Sequence, residues 1–450
     1  MRLILVMLAT FVATWAQDPL PPAAPVAALA QNLNGPQVYG LAEGTVYKLV
    51  TRLPGTNSER EHGTAFVVRP DGYLVTNYHV VATSLRESDK YELILQHGDK
   101  SSVARVLHVD PVNDIAVIQV NETFPKFLQL APHQGLANGE TIFSLGFPKS
   151  EQITMINGTF NGERLMGFAP VLAASMPLNP GMSGGPSLNS KGDVIGVNRA
   201  MMTQAQNISY LSPWAALAKI VAKVAVGGTD RELASTDWKR KIKTDIMNQE
   251  TWALARPINI QLSRQKIGNL SFSLPLNNMQ CGQDDNNKAG LNKREFIFCQ
   301  TVSLALLGPE TESLQVATVA VRNDSKLALD LAFGALKGKY EKAKRARPAQ
   351  EVKSRGLASL SEVLSQPEAE QKCSVRNVRN KNGVGLRVRF CAVAIPDFEG
   401  LFSTFVKIDV LEAGTGGTTL AQAYEGLSLP ATAKMVGAFL DSVNVERDKK

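Results

Sequence analysis

The sequence predicts a multidomain protein in which an all-β domain is followed by an α+β domain. The chain has 450 residues, of which 44% are apolar and 20% are charged, so it can form two or more domains with real cores. Between residues 60 and 205, many short apolar strands are separated by turns rich in Gly and Pro, and nothing is convincingly helical. That pattern is typical of a sandwich or a barrel. Beyond residue 255, strands and helices mix, which indicates the α+β class.

The first 39 residues predict export. One positive charge, a short apolar run and small residues near Ala16 indicate a signal peptide over residues 1–16, the alternative being a buried N-terminal helix. Residues 17–39 are rich in Pro and Ala, so we expect an extended lead-in. No later stretch is long and apolar enough to span a bilayer. We therefore expect a periplasmic or secreted protein.

The stretch with the clearest chemical character is Asn-Pro-Gly-Met-Ser-Gly-Gly-Pro, residues 179–186, with Ser183 among three glycines. A serine hydroxyl is a weak nucleophile at neutral pH and needs a base to accept its proton. It also needs N–H donors for the oxyanion that its attack creates. Glycines let the backbone bend tightly enough for such donors to converge. The stretch predicts a nucleophile, provided that a base and an acid lie upstream.

Two upstream residues fit those roles. His79 follows a short strand, and Asp114 stands beside the apolar run of residues 115–120. An aspartate beside such a run is costly to bury unless it is hydrogen-bonded, and a histidine N–H can satisfy it. The alternatives are a packed or surface histidine and a plain turn aspartate, for which Asp110 is the obvious competitor. The other histidines, His62, His97, His108 and His133, have no motif around them.

The chain order His, Asp, Ser and the sequence blocks around these residues resemble those of the trypsin-like serine proteases of the HtrA/Deg type. Five blocks in the family's order carry the resemblance, over about residues 40–222: residues 63–68, 76–81, 113–117, 144–148 and 179–186. The resemblance implies two packed β-barrels with the active site between them. His79 and Asp114 would come from the first barrel and Ser183 from the second. The protease domain would span residues 40–225.

The resemblance also implies roles for backbone groups. The N–H groups of Gly181 and Ser183 would form the oxyanion hole, and the strand of Ile208, Ser209 and Tyr210 would bind an extended substrate. Two features depart from the family. Met182 stands where a polar residue is usual, and no PDZ pattern follows residue 225.

A helix is predicted to close the protease domain. Ser212 and Pro213 form an N-cap and N1 pair, and the apolar residues after them recur at helical spacing. Residues 226–254 are interpreted as a linker with a basic helical segment that opens near Trp238.

The α+β domain, residues 255–450, carries four cysteines in two similar units. Cys281 and Cys299 are eighteen residues apart, and so are Cys373 and Cys391. In each unit the second cysteine lies in a strand, followed by another strand and a helical stretch. This predicts an internal duplication, over about residues 265–345 and 366–450.

An even number of cysteines in an exported protein favours disulfides, within each unit or between units. A zinc site is the third option, although the spacing is wide and no histidine lies beyond residue 133. We expect no metal and no cofactor.

Charge says less about partners. The net charge of +7 permits an acidic partner without requiring one. Residues 337–355 carry eight basic side chains against two glutamates, which indicates either a solvated segment or a contact for an anionic envelope polymer, a membrane surface or an acidic protein. Aromatic residues are not interleaved with these charges, so no nucleic acid is expected.

Two functions follow from these patterns. The first is an exported serine endopeptidase that hydrolyses peptide bonds of protein or peptide substrates through an acyl-enzyme. The alternative is a latent or inactive protease fold acting as a binding or chaperone-like envelope factor. A homo-oligomer is compatible with either.

Overall fold

The computed structural model describes residues 32–98, 100–131, 136–148, 152–166, 169–201, 207–224, 233, 235–255, 264–274, 279–286, 294–300, 315–322, 372–395, 398–412 and 418–446. The predicted signal peptide, most of the lead-in, the basic stretch of residues 337–355 and the helical stretch of the first repeat lie outside these ranges. None of the described helices has both the length and the apolarity needed to cross a membrane.

The first barrel, called barrel 1, closes in the strand order β1-β2-β3-β6-β5-β4 with antiparallel neighbours. Its strands are β1 (Val46–Arg52), β2 (Glu59–Arg69), β3 (Tyr73–Thr76), β4 (Glu92–His97), β5 (Lys100–Asp110) and β6 (Ile115–Val120). The turn between β2 and β3 needs Gly72, which has a φ of 87°. Strand β6 is buried along its whole length. Strand β6 is therefore held in the core, and Asp114 is the residue that directly precedes it.

The second barrel, barrel 2, closes in the order β10-β11-β12-β9-β8-β7. Its strands are β7 (Thr141–Gly146), β8 (Thr154–Met166), β9 (Ala169–Ser175), β10 (Pro186–Leu188), β11 (Val194–Met201) and β12 (Ile208–Pro213). A shared apolar cluster joins barrel 1 residues such as Phe66 and Val117 to barrel 2 residues such as Leu145 and Val197. The predicted double barrel is confirmed.

Three helices accompany the barrels: α1 (Gly35–Ala42), α2 (Tyr78–Arg86) and α3 (Trp214–Val221). The lead-in is predicted to be extended as far as residue 39. This prediction is wrong for its last residues, because Asn34 and Gln37 form a reciprocal capping box that starts α1. The prediction that nothing is helical between residues 60 and 205 is also wrong, since α2 lies there. Helix α2 buries an apolar face on barrel 1.

Helix α3 is present, but its start differs from the prediction. Its N-cap is Pro213, and the Ser212 hydroxyl donates to the Asn113 carbonyl instead of capping the helix. Strand β12 runs to Pro213, so Ser212 belongs to barrel 2.

The C-terminal region begins with α4 (Ser235–Ala255). This is the helical segment predicted to open near Trp238, and it is packed, because Trp238 is only 1% exposed and Ile242 is fully buried. They pack in one cluster with barrel 1 residues and with Phe398, which lies beyond β19. Helix α4 therefore belongs to a core shared by both halves of the chain.

Seven strands then form one antiparallel sheet in the order β15-β16-β17-β21-β20-β19-β18. They are β15 (Gln280–Asn286), β16 (Arg294–Gln300), β17 (Gln315–Arg322), β18 (Lys372–Arg379), β19 (Gly385–Ala394), β20 (Phe402–Val410) and β21 (Thr419–Leu427). Helix α5 (Leu429–Ser442) packs on the sheet, and a smaller sheet joins β13 (Arg264–Ile267), β14 (Leu270–Ser273) and β22 (Asn444–Val445).

The cysteines pair within their own hairpins. Cys281 bonds Cys299 across β15 and β16, and Cys373 bonds Cys391 across β18 and β19, with each pair directly opposite in register. This is the pairing within each unit, one of the alternatives that the sequence left open. One strand was missed: β21 follows β20 before the last helix. The duplication itself stays a prediction.

Candidate active site

Asp114 and His79 are brought together by the turn before β6 and the start of α2. The Asp110 carboxylate accepts from the backbone N–H and side-chain amide of Asn113, at 3.0 and 2.8 Å, which fixes the turn. Asp114 then takes a positive φ of 54°, a conformation that Asp tolerates better than most residues. The Asn77 amide donates to the Asp114 carbonyl at 2.7 Å. Asp110 thus shapes the turn, while Asp114 faces the histidine.

The Asp114 carboxylate contacts His79 twice. One oxygen, Oδ1, accepts the backbone N–H of His79 at 2.9 Å, and Oδ2 lies 2.8 Å from the ring Nδ1. A ring held in this way carries its proton on Nδ1 and presents Nε2 as the basic atom. Burial lowers the pKa of His79, but the charge and hydrogen bond of Asp114 raise it, and the net shift is upward. The pair can therefore act as an oriented base.

Ser183 lies in a loop that is fixed from both barrels. Its carbonyl accepts from the backbone N–H of Thr64 in β2 at 2.8 Å, and the Thr64 hydroxyl donates to the Gly181 carbonyl at 2.8 Å. On the barrel 2 side, Asn198 donates to the Met182 carbonyl at 3.2 Å and accepts the backbone N–H of Gly184 at 2.9 Å. The Ser183 hydroxyl donates to the Arg199 carbonyl at 3.4 Å. Since a hydroxyl has one proton, this bond and a bond to His79 are alternatives.

Gly181 has a φ of 96°, and no side chain fits there. A Cβ would lie 2.3 Å from the Phe147 carbonyl oxygen and 2.6 Å from Nε2 of His62. His62, for which the sequence offered no motif, is therefore a close neighbour of the loop predicted to hold the oxyanion. Met182, which stands where the family usually has a polar residue, is 1% exposed and packs with Ile142 and other barrel 2 core residues. The apolar side chain therefore anchors the loop in the core.

The predicted substrate strand is wrong in its position. Strand β12, which contains Ile208, Ser209 and Tyr210, is paired with β11 on one edge and with β9 on the other. Ser209 is fully buried and donates to the Met176 carbonyl at 2.7 Å. A substrate cannot add to a strand whose two edges are occupied. The register of β10 with β11 ends at Val197, and Asn198 continues the contact through backbone hydrogen bonds with Gly184 and Gly185.

Arg199 is the charged residue that sequence reasoning missed. It lies on β11 with only 5% of its side chain exposed, and its Nε is 3.6 Å from Asp114 Oδ2. The available signal was a single arginine inside an otherwise uncharged strand, because a buried charge requires a partner. A cavity of about 940 Å³ bordered by Asn138, Asp193 and Trp214 includes none of the three predicted catalytic residues.

Two closed antiparallel barrels of six strands each define the fold class of a trypsin-like peptidase. Comparison of the sequence agrees, since residues 63–197 match the family described as the trypsin-like peptidase domain. Over these residues the chain is similar to such a domain. It resembles a "Probable periplasmic serine endoprotease DegP-like" of Pseudomonas fluorescens, with 28% identity over 188 residues. A protein of the same description in Chlamydia trachomatis is 32% identical over 166 residues.

These matches cover 39% and 36% of this chain and 38% and 32% of the relatives, so the chain spans about a third of their length. Among solved structures, the active form of the Rv3671c protease from M. tuberculosis shares 26% identity at a TM-score of 0.39, covering 51% of this chain and 98% of that chain. A serine endoprotease from Yersinia pestis shares 21% identity at a TM-score of 0.35, covering 41% and 65%. Because both scores are low, the fold assignment rests on the strand order given above.

Proposed function

We propose that this chain is an exported serine endopeptidase that cleaves protein or peptide substrates through an acyl-enzyme. The single observation that supports this most is the double contact of the Asp114 carboxylate with the backbone and the ring of His79. Such a contact prepares Nε2 to accept a proton. The sequence of residues 1–16 and the periplasmic relatives favour export.

In the proposed reaction, Ser183 Oγ attacks the carbonyl carbon of the scissile peptide while His79 Nε2 takes its proton. The backbone N–H groups of Gly181 and Ser183 stabilise the oxyanion. The imidazolium then gives its proton to the leaving amine, and Asp114 stabilises the positive ring. Water, activated by the same histidine, hydrolyses the acyl-enzyme. An extended substrate would bind beside the C-terminal part of β11, where the Arg199 carbonyl contacts the Ser183 hydroxyl.

The test compares wild type with Ser183→Ala for cleavage of casein, an unfolded protein. We expect the substitution to lower kcat by a factor of about 10⁶ or to the background, as loss of a nucleophile does. Ser58→Ala is the matched control because Ser58 lies in an exposed turn before β2, and its rate should equal that of wild type. Equal cleavage by Ser183→Ala and wild type would refute the proposal.

A second candidate, a latent protease with a binding role at rest, is favoured by the bond of the Ser183 hydroxyl to the Arg199 carbonyl. A fluorophosphonate distinguishes the two, because it labels only an activated serine. Labelling of the resting protein at Ser183 indicates a working site. No labelling of a correctly folded protein indicates latency.

A further inference from the structure

Arg199 places a buried positive charge beside the predicted catalytic aspartate. Its neighbours along β11 include Val194, Ile195 and Val197, all buried, and its own side chain is 5% exposed. Burial disfavours the charged form, and the pKa of Arg199 is lowered from its ordinary value mainly for that reason. An arginine stays charged in proteins, so this position must be stabilised by anionic neighbours. Asp114 and Asp110 supply that charge.

One residue of barrel 2 thus reaches both parts of the site. The Nε of Arg199 lies 3.6 Å from Asp114 Oδ2, the same oxygen that contacts His79 Nδ1 at 2.8 Å. The Arg199 carbonyl accepts the hydrogen bond of Ser183. A carboxylate held between a ring N–H and a guanidinium has two directions in which to share its charge. The positive charge of Arg199 therefore reduces the stabilisation that Asp114 gives to protonated His79.

We propose that Arg199 acts on His79 through the Asp114 carboxylate that both side chains approach, and that its charge extends the basic form of His79 to lower pH. The inference rests on the proposed function, because it assigns a role within the same site. The Arg199 carbonyl contacts the Ser183 hydroxyl, whereas the proposed role belongs to the Arg199 side chain. It acts through Asp114.

Three charged side chains from three elements act on His79. Asp114 comes from the turn before β6, Arg199 from β11 and Glu61 from β2, while Asp110 acts on Arg199 from the end of β5. Burial and Arg199 lower the pKa of His79, whereas Asp114 and Glu61 raise it, with a net upward shift. Removing the arginine removes a lowering influence. The pKa of His79 must then rise further, and the basic form must appear only at higher pH.

The experiment titrates His79 by NMR in the full-length Ser183→Ala protein, which cannot digest itself under the proposal. His79→Gln assigns the resonance. Arg199→Met removes the charge with little loss of volume, and we expect the titration midpoint to rise by about one pH unit, the effect of a nearby charge. Arg199→Lys keeps the charge and should leave the midpoint within about a third of that shift of the parent value. Arg105→Gln, which alters an arginine that bonds Gln119 on barrel 1, is the control and should not move it.

An unchanged midpoint in folded Arg199→Met overturns the inference, and so does an equal shift in Arg199→Lys, which would indicate packing. If Arg199→Met fails to fold, Arg199→Gln replaces it, with the same expected rise and the same refuting result. If neither folds, the lysine variant decides alone: a shift as large as one pH unit refutes the role of the charge, and an unmoved midpoint supports it.

The pH profile of kcat/KM without the Ser183 substitution should move its acid limb in parallel. Because the titration needs no turnover, a protein that cleaves nothing would refute the proposed function while leaving this measurement valid.

Discussion

Gly181 is the residue at which backbone conformation and chemistry depend most directly on each other. Its positive φ and the close approach of the Phe147 carbonyl leave no space for a Cβ. Gly181→Ala should move the loop whose N–H groups are proposed to hold the oxyanion. We expect kcat to fall by a factor of about 10² or more, the effect of losing one such donor. The measurement is steady-state cleavage of casein by the folded variant.

Gly55→Ala separates loss of the donor from simple backbone strain. Gly55 also has a positive φ, 71°, but a Cβ there would meet nothing within 4 Å. We expect this variant to lose about 1 kcal/mol of unfolding free energy and to keep the wild-type kcat. Equal rates for Gly181→Ala and wild type would show that the loop around Gly181 does not set the rate.

At the same scale, the sequence predicted some residues of the site and could not predict others. His79, Asp114 and Ser183 stand out because nucleophilic catalysis restricts both residue type and chain order. Arg199 and His62 carry no such signal, since their roles arise from contacts between distant parts of the chain. A single charged residue in a buried strand indicates that it has a partner, but the sequence does not identify that partner.

At the scale of single elements, the two disulfide-linked hairpins can be tested. Each bridge closes a loop with a sequence separation of 18. In the chain-entropy account, removing either bridge should lower the free energy of unfolding by about 3 kcal/mol. Urea denaturation of Cys281→Ser/Cys299→Ser and of Cys373→Ser/Cys391→Ser measures this. Each double variant is the matched control for the other, and a loss below about 0.5 kcal/mol in either one would contradict the expectation.

Two elements escaped prediction for different physical reasons. Helix α2 contains Val80, Val81 and Thr83, whose β-branched side chains weaken local helix preference, so burial against barrel 1 decides its conformation. Strand β21 is buried at every position, so it lacks the alternation that marks a strand with one solvent face. In both cases the deciding contacts lie far away in the sequence.

At the scale of the whole molecule, α4 connects the peptidase domain to the C-terminal sheet. The Trp238 ring packs edge-on against Phe398, with ring centroids 6.0 Å apart, in a cluster that includes barrel 1 residues. Trp238→Ala should cost about 3–5 kcal/mol of stability because it opens a cavity in that cluster. Calorimetry should show barrel 1 and the C-terminal sheet unfolding together in wild type and in separate transitions in the variant.

Met247→Ala is the control on the same helix. Met247 is 39% exposed, so its truncation should change stability by no more than about 0.5 kcal/mol and leave one transition. Separate transitions already in wild type would show that the shared cluster does not couple the two regions. The sequence predicted a basic helical segment here but not its packing, because the contacts of Trp238 with Phe398 and with barrel 1 join parts of the chain that lie far apart.

The Asp114 carboxylate contacts both the main chain and the ring of His79. This has a consequence for control of the proposed peptidase. The bond of Oδ1 to the main chain remains when the imidazole rotates about its side-chain bonds, so the carboxylate keeps its place at the start of α2 and the ring can return to it. The backbone of Ser183 is also fixed, through its carbonyl, but its hydroxyl makes one long hydrogen bond to the Arg199 carbonyl. In the proposed peptidase, activation therefore means that this hydroxyl exchanges the Arg199 carbonyl for His79, and an activator has to favour that exchange.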